Sequence, residues 1–226
     1  MINVNSFRVF IDSITNKDQN GGFSTDEYNS ALPIVVGKFI DNCIGAILAY
    51  QAGQNKNYAL IAKYERYLVD IFKSGTITVD STGFGILPTD WYQTRNFNYL
   101  YVTQNPLTVV PKPIRETNNI AAYTNSQLNT PSKKEAVCTY INGKVQFAPK
   151  DLGSVQIIYY KAAPDPYWGW TEIDNEQVYD AATSVNIPLS TQCNDELAML
   201  FIQYLGLAIK DEFQEQFSQA EEAKSK

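Results

Sequence analysis

Histidine is missing from all 226 residues of the sequence, and cysteine is scarce. Histidine is the commonest general base and the commonest metal ligand, so its absence excludes catalytic triads of the Ser-His and Cys-His types. The cysteines Cys43, Cys138 and Cys193 are odd in number and form no CxxC pair, which argues against a disulfide framework or a thiolate zinc site. Cys43 and Cys138 stand beside apolar residues, and free cysteine is among the residue types most often buried. We therefore predict three small buried side chains in a protein that folds in a reducing, cytosolic compartment.

An excess of positive charge is also missing. Lys and Arg number 18 against 24 Asp and Glu, which gives a net charge of −6, and no basic run is longer than Lys133-Lys134. Proteins that bind nucleic acids or anionic membrane surfaces need surplus Lys and Arg. The sequence therefore predicts neither specific DNA binding nor attachment to a membrane surface.

Long uninterrupted apolar runs are absent as well. Met1–Asn5 lacks the basic start and the apolar run of a signal peptide. The apolar stretch Ile34–Tyr50 is interrupted by Lys38, Asp41 and Asn42, and we expect it not to span a bilayer.

Aromatic residues, in contrast, are abundant. They make up 13% of the chain, with 15 Tyr and 11 Phe. Tyrosine is amphipathic and stiff, which suits a surface that is wet before assembly and buried afterwards. The same rings would also fill a β-rich core, and composition does not separate these two interpretations.

The first third of the chain has helical periodicity. Apolar residues at spacings of three and four predict helices over about Val4 to Ile14, Thr25 to Ala52 and Tyr58 to Lys73, with Gly75 ending the third. Ser24 and Glu27 have the spacing of a capping box at the start of the second helix. Pro33 is expected to kink or divide that helix, because proline has no N–H to donate.

The middle of the chain favours strands. One or two are expected within Leu100 to Val110, and a hairpin is expected over Ala136 to Ala148 around Asn142-Gly143, which suit a type I′ turn. A further strand over Val155 to Lys161 would complete an antiparallel meander. Val185 to Ile187 predicts a last short strand.

A long helix is expected to close the chain, from Ser190 or Thr191 to about Ala223, with Gly206 marking close contact with another backbone. The predicted fold class is α+β. Residues 1–75 and 186–226 would form a helical bundle, and residues 76–185 a β-rich insertion, as one chain unit without a flexible linker.

The segment Asn16 to Glu27 matches an EF-hand loop at many positions. Oxygen-bearing side chains stand at Asn16, Asp18 and Asn20, Gly21 holds the turn position, and Glu27 holds the closing twelfth place. The same residues also fit a helix–turn–helix corner, because Asn and Gly form turns and Ser24 with Glu27 forms a cap. We favour the corner and predict no metal, while calcium binding remains the alternative.

Other groupings offer weaker chemistry. A glycosidase pair could come from four carboxylates in one aromatic-rich segment, for which a solvated loop is the simpler interpretation. Trp168-Gly169-Trp170 could form a sugar platform, but such rings more often anchor a loop onto a sheet or fill a partner's pocket. Gly83-Phe84-Gly85 lacks the following Gly and Lys of a phosphate-binding loop. We predict no enzyme, no catalytic residue and no cofactor. The four carboxylates are Asp165, Glu172, Asp174 and Glu176.

Several segments, in order along nearly the whole chain, resemble a family of virion structural proteins of tailed bacteriophages, including crAss-like phages and related phages of the Bacteroidetes. They are the first helix with the segment Asn16 to Asn29, then Leu87-Pro88-Thr89-Asp90-Trp91, Thr130-Pro131 ahead of the Asn142-Gly143 hairpin, Tyr159-Tyr160-Lys161 with Pro164, Pro166 and Trp168, and Ile187-Pro188-Leu189 ahead of the segment Tyr204 to Asp211.

This resemblance implies a component of the phage neck or head–tail connector, assembled in the host cytoplasm and carried in the virion. It would form a ring of about twelve copies beneath the portal protein, in contact with adjacent neck or tail proteins. Genomic DNA would pass through the ring without being specifically bound. A tail hub, baseplate or fibre-attachment protein is the alternative within the virion, and a calcium-binding interaction module or a glycan hydrolase lies outside it.

Overall fold

The computed structural model describes residues 1–15, 24–54, 57–104, 107–126 and 130–205, with backbone only at 101–104 and 107–108. Contacts divide the chain into two compact units. The helical unit comprises Met1–Asp70 and Ala163–Lys226, and the sheet unit comprises Ile71–Ala162. These divisions lie at 70/71 and 162/163, whereas the sequence predicted divisions at 75/76 and 185/186.

The described residues form five α-helices and nine β-strands, so the coarse prediction of a mixed helical and sheet protein is confirmed. In chain order they are α1 (Val4–Thr15), α2 (Thr25–Gln51), α3 (Tyr58–Tyr67), β1 (Phe72–Thr78), β2 (Phe84–Ile86), β3 (Trp91–Gln104), β4 (Leu107–Glu116), α4 (Ile120–Thr124), β5 (Val137–Ile141), β6 (Lys144–Ala148), β7 (Ser154–Lys161), β8 (Trp170–Ile173), β9 (Glu176–Tyr179) and α5 (Asn194–Tyr204).

The core of the helical unit is built around aromatic rings. The Phe201 ring of α5 lies 6.0 Å from the Phe7 ring of α1 and 5.3 Å from the Tyr28 ring of α2, and all three side chains are fully buried. The Tyr28 hydroxyl donates to the Val4 carbonyl at 3.3 Å. Burial raises the pKa of Tyr28 well above its usual range, so the hydroxyl stays protonated and keeps that hydrogen bond.

One expectation about the helices is wrong, and another is wrong in part. The helix α2 runs unbroken from Thr25 to Gln51 through Pro33, so proline does not divide it, and the alternative of a kink stays a prediction. The helix α3 ends at Tyr67, because Phe72 to Thr78 leave the helical pattern and pair with β7 as a strand that includes Gly75. A strand partner that is distant in sequence thus overrides the helical periodicity of this segment.

The helix α2 is long and apolar enough to cross a membrane by length and composition alone, despite Lys38, Asp41 and Asn42. Half of its most apolar window is buried inside the protein. The core helix of a soluble protein passes the same test, so the interruptions alone do not exclude a membrane span.

The sheet unit contains a seven-stranded mixed sheet in the order β1-β7-β3-β4-β5-β6-β2. Neighbours are antiparallel except β4 and β5, which are parallel. A bridge between Val79, just after β1, and Gly85 of β2 brings the two outermost strands together, so the sheet is nearly closed. Its core contains fully buried Phe97 and Val145, with the Phe147 ring meeting the Phe97 ring edge-on at 5.5 Å.

The predicted hairpin around Asn142-Gly143 is confirmed. Both residues have positive φ, +50° and +74°, as a type I′ turn requires, and β5 pairs with β6 from Ile141↔Lys144 to Val137↔Ala148. The meander is wrong, because β7 pairs with β1 and β3 rather than with β6. The local turn was readable from two residues, whereas the partners of β7 depend on pairing across most of the unit.

The chain closes with short elements. Val185 and Ile187, predicted as a strand, form isolated bridges to Tyr167 and Ile2. The last described helix, α5, follows a 3-10 turn at Thr191–Cys193. Gly206 and the rest of the predicted helix to Ala223 lie outside the described residues.

Candidate interaction surfaces

The capping box at the end of the EF-hand-like segment is confirmed. The Glu27 N–H donates to Ser24 Oγ at 3.2 Å, and Glu27 Oε2 accepts from Ser24 N at 2.9 Å and from Ser24 Oγ at 2.8 Å. These hydrogen bonds, the backbone one first, lower the pKa of Glu27. The carboxylate proposed to close a calcium cage therefore caps α2. The other proposed ligands, Asn16 to Phe23, lie outside the described residues, and the calcium alternative stays a prediction.

The four carboxylates considered as a glycosidase pair lie at or near an exposed two-stranded ribbon, β8 and β9, and all are exposed. Glu172 is directly opposite Gln177, so these two side chains share one face of the ribbon. Glu176 precedes Gln177 in the strand and therefore lies on the other face. Asp174 occupies the turn with a positive φ of +53°, beside Asn175, and Asp165 lies in the loop that precedes Trp168. The strand register therefore keeps Glu172 and Glu176 from facing one substrate together.

Trp168 is a buried anchor and not an open platform. Its side chain is 5% exposed, its Nε1 donates to Asn5 Oδ1 at 3.0 Å, and the Arg8 guanidinium carbon lies 3.8 Å from the ring centroid. Asn29 holds the Trp168 backbone on both sides, accepting from its N–H at 2.9 Å and donating to its carbonyl at 3.1 Å. A ring covered in this way has no face left for a sugar. It anchors the loop as expected, but on the helices α1 and α2 and not on a sheet.

In the Gly83-Phe84-Gly85 segment, Gly83 ends a tight turn, and Phe84 and Gly85 begin β2. Gly83 has φ +89°, and a Cβ there would lie 3.0 Å from the Phe147 carbonyl oxygen. Asp80 organises the turn by accepting from Thr82 and Phe84 backbone N–H groups at 2.8 and 2.9 Å. The glycines therefore serve backbone packing, as expected when the residues of a phosphate-binding loop are missing.

The cysteines behave as predicted: all three are buried free thiols. Burial raises the pKa of Cys43 and of Cys193 to about 12, which keeps both as unreactive thiols at neutral pH. Among the described residues, no group of three His, Cys, Asp or Glu side chains is placed to hold a metal ion.

Asp90 carries an ion pair of the sheet unit. Its Oδ2 lies 2.6 Å from Lys73 Nζ, and its Oδ1 accepts from the Tyr159 hydroxyl at 2.9 Å. These two hydrogen bonds, that of Lys73 first, lower the pKa of Asp90 below its usual value. They join the start of β1, the start of β3 and the middle of β7.

The substitution Asp90→Asn is expected to destabilise the sheet unit modestly at pH 7, because the pair is partly solvated. A carboxylate with a depressed pKa contributes stability above its unfolded pKa of about 4, and loses it as pH falls through the folded value. The stability of the variant should therefore fall less steeply below about pH 4 than that of the wild type. Urea denaturation at several pH values measures this; Asp165→Asn, an exposed loop carboxylate, is the control. Equal acid sensitivity of the wild type and Asp90→Asn would contradict it.

A groove on the helical unit lies between α2, α3 and α5. Its volume is about 390 Å³. Its apolar wall includes Met199, which is 49% exposed, and acidic residues stand at the start of α5. Glu196 there accepts from the Tyr67 hydroxyl at 3.1 Å and is paired with Lys63, whereas Asp195 is exposed. The residues that define this acidic groove are Phe39, Tyr64, Met199, Leu200, Asp195 and Glu196.

A projecting ribbon on the sheet unit is formed by β3 and β4. The strand β7 pairs with β3 only as far as Asn98, but β3 and β4 stay paired to Gln104↔Leu107. Side chains alternate between the two faces of a strand, so every second residue of β4 lies on the same face. On the face that carries Val109, the residues from Val109 to Arg115 are exposed. We call this set, with Leu100 opposite Pro111, the β4 strip. It comprises Leu100, Val109, Pro111, Pro113 and Arg115.

Proline also controls the outer edge of the ribbon. The Arg115 N–H donates to the Ala136 carbonyl at 3.0 Å, so every second N–H of β4 points toward the side where β5 pairs. Pro113 and Pro111 occupy the next two positions of this alternating set, and proline has no N–H to donate. The edge is therefore blocked against further strand addition, while the apolar face beside it stays open.

Charge is divided sharply between the two units. The sheet unit contains nine Lys and Arg against five Asp and Glu, a net charge of +4, and the helical unit contains nine against nineteen, a net charge of −10; together these give the −6 of the whole chain. The overall acidity predicted from composition therefore hides a basic unit. The signal was present in the sequence, but it becomes visible only after the unit boundaries are known.

A scan against the known protein-family models found no match to this chain, and a search of the curated proteins found none either.

Proposed function

We propose that the chain is a structural subunit of a tailed-phage virion, forming a ring of the neck or head–tail connector through which DNA passes. The observation that carries this proposal is the opposite charge of the two units on one chain, +4 and −10. Ring subunits associate head to tail through two different surfaces, and opposite charges on those surfaces favour that contact and fix its orientation.

Two further features support a ring. The β4 strip offers exposed apolar area on a ribbon whose edge is blocked by proline, which suits docking through a face without open-ended strand pairing. The resemblance to virion proteins of tailed phages covers nearly the whole chain and gives the proposed place, beneath the portal protein. Neither feature requires turnover, and we propose no enzymatic activity.

The purified protein is expected to form a closed ring, because head-to-tail contacts close by rotation, and the resemblance to phage neck proteins implies about twelve copies. Light scattering gives the mass, and negative-stain electron microscopy gives the symmetry. Attraction between unlike charges is screened at high salt, where the Debye length falls to about 3 Å at 1 M. The mass should therefore decrease as salt is raised from about 0.05 to 1 M.

A monomer at every concentration and ionic strength would contradict the proposal of a self-assembling ring. A tail hub or baseplate subunit would use the same kinds of surface, and a rotational symmetry far from twelvefold would favour it. Repeating the measurement with calcium tests the EF-hand alternative, because a calcium-dependent mass would point to Asn16 to Glu27 as a ligand site.

A further inference from the structure

We propose that the β4 strip of one copy docks into the acidic groove of the helical unit of a second copy. This inference rests on the proposed function, because it requires that copies associate, and it names the surfaces through which they do so. The strip and the groove belong to the units of opposite net charge, +4 and −10. The strip is apolar apart from Arg115 at one end. The groove has an apolar wall and two carboxylates at one end, and its lining also includes Asn42 and Gln203.

The two surfaces match in polarity. Arg115 is exposed at the end of the strip, beyond the prolines, and Asp195 with Glu196 stands at the start of α5, at one end of the groove. Glu196 is already paired with Lys63, so the contact is made with the exposed Asp195 carboxylate. Placing the Arg115 guanidinium against Asp195 directs Pro111 and Val109 toward the wall that contains Met199. The charged contact fixes the orientation, and the apolar contact removes exposed surface from water.

The strip is long enough to cover the groove. From Val109 to Arg115 it extends about 20 Å at roughly 3.3 Å per residue. From Asp195 to Gln203 the helix α5 extends about 12 Å at roughly 1.5 Å per residue. One face of the strip can therefore lie along the whole groove.

A second copy fits better than a nucleic acid at the strip. Nucleic acid binding requires clustered Lys and Arg, whereas the strip carries one arginine among apolar side chains, Leu100, Val109, Pro111 and Pro113. An apolar face with a single cation suits an apolar groove with an acidic end. The contact is heterologous, with a different surface on each copy, and so is the type that closes into a ring.

Charge reversal tests the contact on the full-length chain. Arg115→Glu and Asp195→Lys are each expected to weaken self-association about tenfold or more, because like charges then meet. The chain that carries both changes should recover most of the affinity, because the pair is restored with its signs exchanged. Association is measured by sedimentation velocity over a concentration series, and circular dichroism checks folding.

Matched controls separate this contact from general effects of charge. Lys144→Glu reverses an exposed cation of the sheet unit outside the strip, and Asp26→Lys reverses an exposed acid in the first turn of α2, as Asp195 stands in the first turn of α5. Both should associate nearly as the wild type does. Val109→Asp, at a side chain 60% exposed, tests the apolar part and should weaken association without unfolding the chain.

Three results would overturn the inference. If the wild type assembles and the strip and groove variants match their controls, the ring stands but uses other surfaces. If the single variants weaken assembly and the double variant shows no recovery, these two residues do not meet. If the wild type stays monomeric while Arg115→Glu lowers its binding to a labelled DNA duplex, the strip is a nucleic-acid surface and the proposed ring fails as well.

Discussion

Trp168→Ala is expected to lower the free energy of unfolding of the helical unit by about 3–5 kcal/mol, the range for removing a large buried aromatic side chain. The ring is 5% exposed and stands between Arg8 and Tyr179, whose ring centroid lies 5.9 Å away. The truncation removes this ring together with the Nε1 hydrogen bond to Asn5. It also uncovers the Arg8 guanidinium, of which Nη1 is buried and has no hydrogen-bond partner among the described groups.

The neighbouring tryptophan provides a matched control. Trp170 is half-buried on β8, so Trp170→Ala removes the same side chain from a more solvated place and should cost clearly less. Trp168→Phe keeps an aromatic ring beneath Arg8 but loses the indole N–H. Its loss of unfolding free energy should lie between those of Trp168→Ala and Trp170→Ala. This order distinguishes ring packing from the single hydrogen bond.

Urea denaturation followed by far-UV circular dichroism measures these differences, because it reports helix content. Equal costs for Trp168→Ala and Trp170→Ala would contradict the anchoring role of Trp168. Such a result would reopen the interpretation of the Trp168-Gly169-Trp170 segment as an exposed binding platform, and sugar binding should then be assayed.

Short-range signals predicted much of the local structure. The capping box of Ser24 and Glu27, the Asn142-Gly143 turn and the first helix all depend on residues within a few positions of one another, and all are observed. The burial of Cys43 and Cys138 followed from apolar neighbours in the same way. In each case the local preference and the tertiary environment agree.

The pairing of strands that are far apart in the chain could not be predicted from the sequence. Phe72 lies at the end of a helical pattern, yet it pairs with Tyr160 in the sheet, and the two rings lie 5.8 Å apart. The position of β7 between β1 and β3 likewise depends on strands that are far apart in sequence. No local periodicity encodes the choice of partner, because each strand of a buried sheet has a similar alternating pattern.

The candidate interaction surfaces could be predicted from the sequence only in part. Pro111 and Pro113 in an apolar segment are typical of an edge strand, but which face stays open follows from the pairing of Leu100 with Pro111. The acidic groove joins residues of α2 and α3 with residues of α5 that lie more than a hundred positions further along the chain. Scattered charges in the sequence therefore become a basic unit and an acidic unit only through folding.

Gly169→Ala is expected to destabilise the helical unit by about 3 kcal/mol, the upper part of the usual range for overpacking. A Cβ at this position would lie 2.7 Å from the Thr183 carbonyl carbon and 2.9 Å from the Ser184 nitrogen. These are backbone atoms, and they cannot turn aside as a flexible side chain can.

Residues 180–184, which face Gly169, are held in place by hydrogen bonds. Asp180 Oδ1 accepts from the Ala182 N–H at 2.9 Å, Asp180 Oδ2 accepts from the Thr183 hydroxyl at 2.8 Å, and the Ser184 hydroxyl accepts from the Gly169 N–H at 2.9 Å. Relief of the clash must therefore break this turn or displace β8, which begins at Trp170. Either movement also disturbs Trp168 on the other side of the glycine.

Gly45→Ala is the matched control, and its effect should have the opposite sign. Gly45 lies within α2, and apart from its chain neighbours and the backbone of the helix itself no atom lies within 4 Å of the added Cβ, so alanine fits and should stabilise the helix by about 0.5–1 kcal/mol. Thermal and urea denaturation of both variants give the comparison. A Gly169→Ala protein as stable as the wild type would show that residues 180–184 yield easily, and the close packing around Trp168 would then not be what fixes this loop.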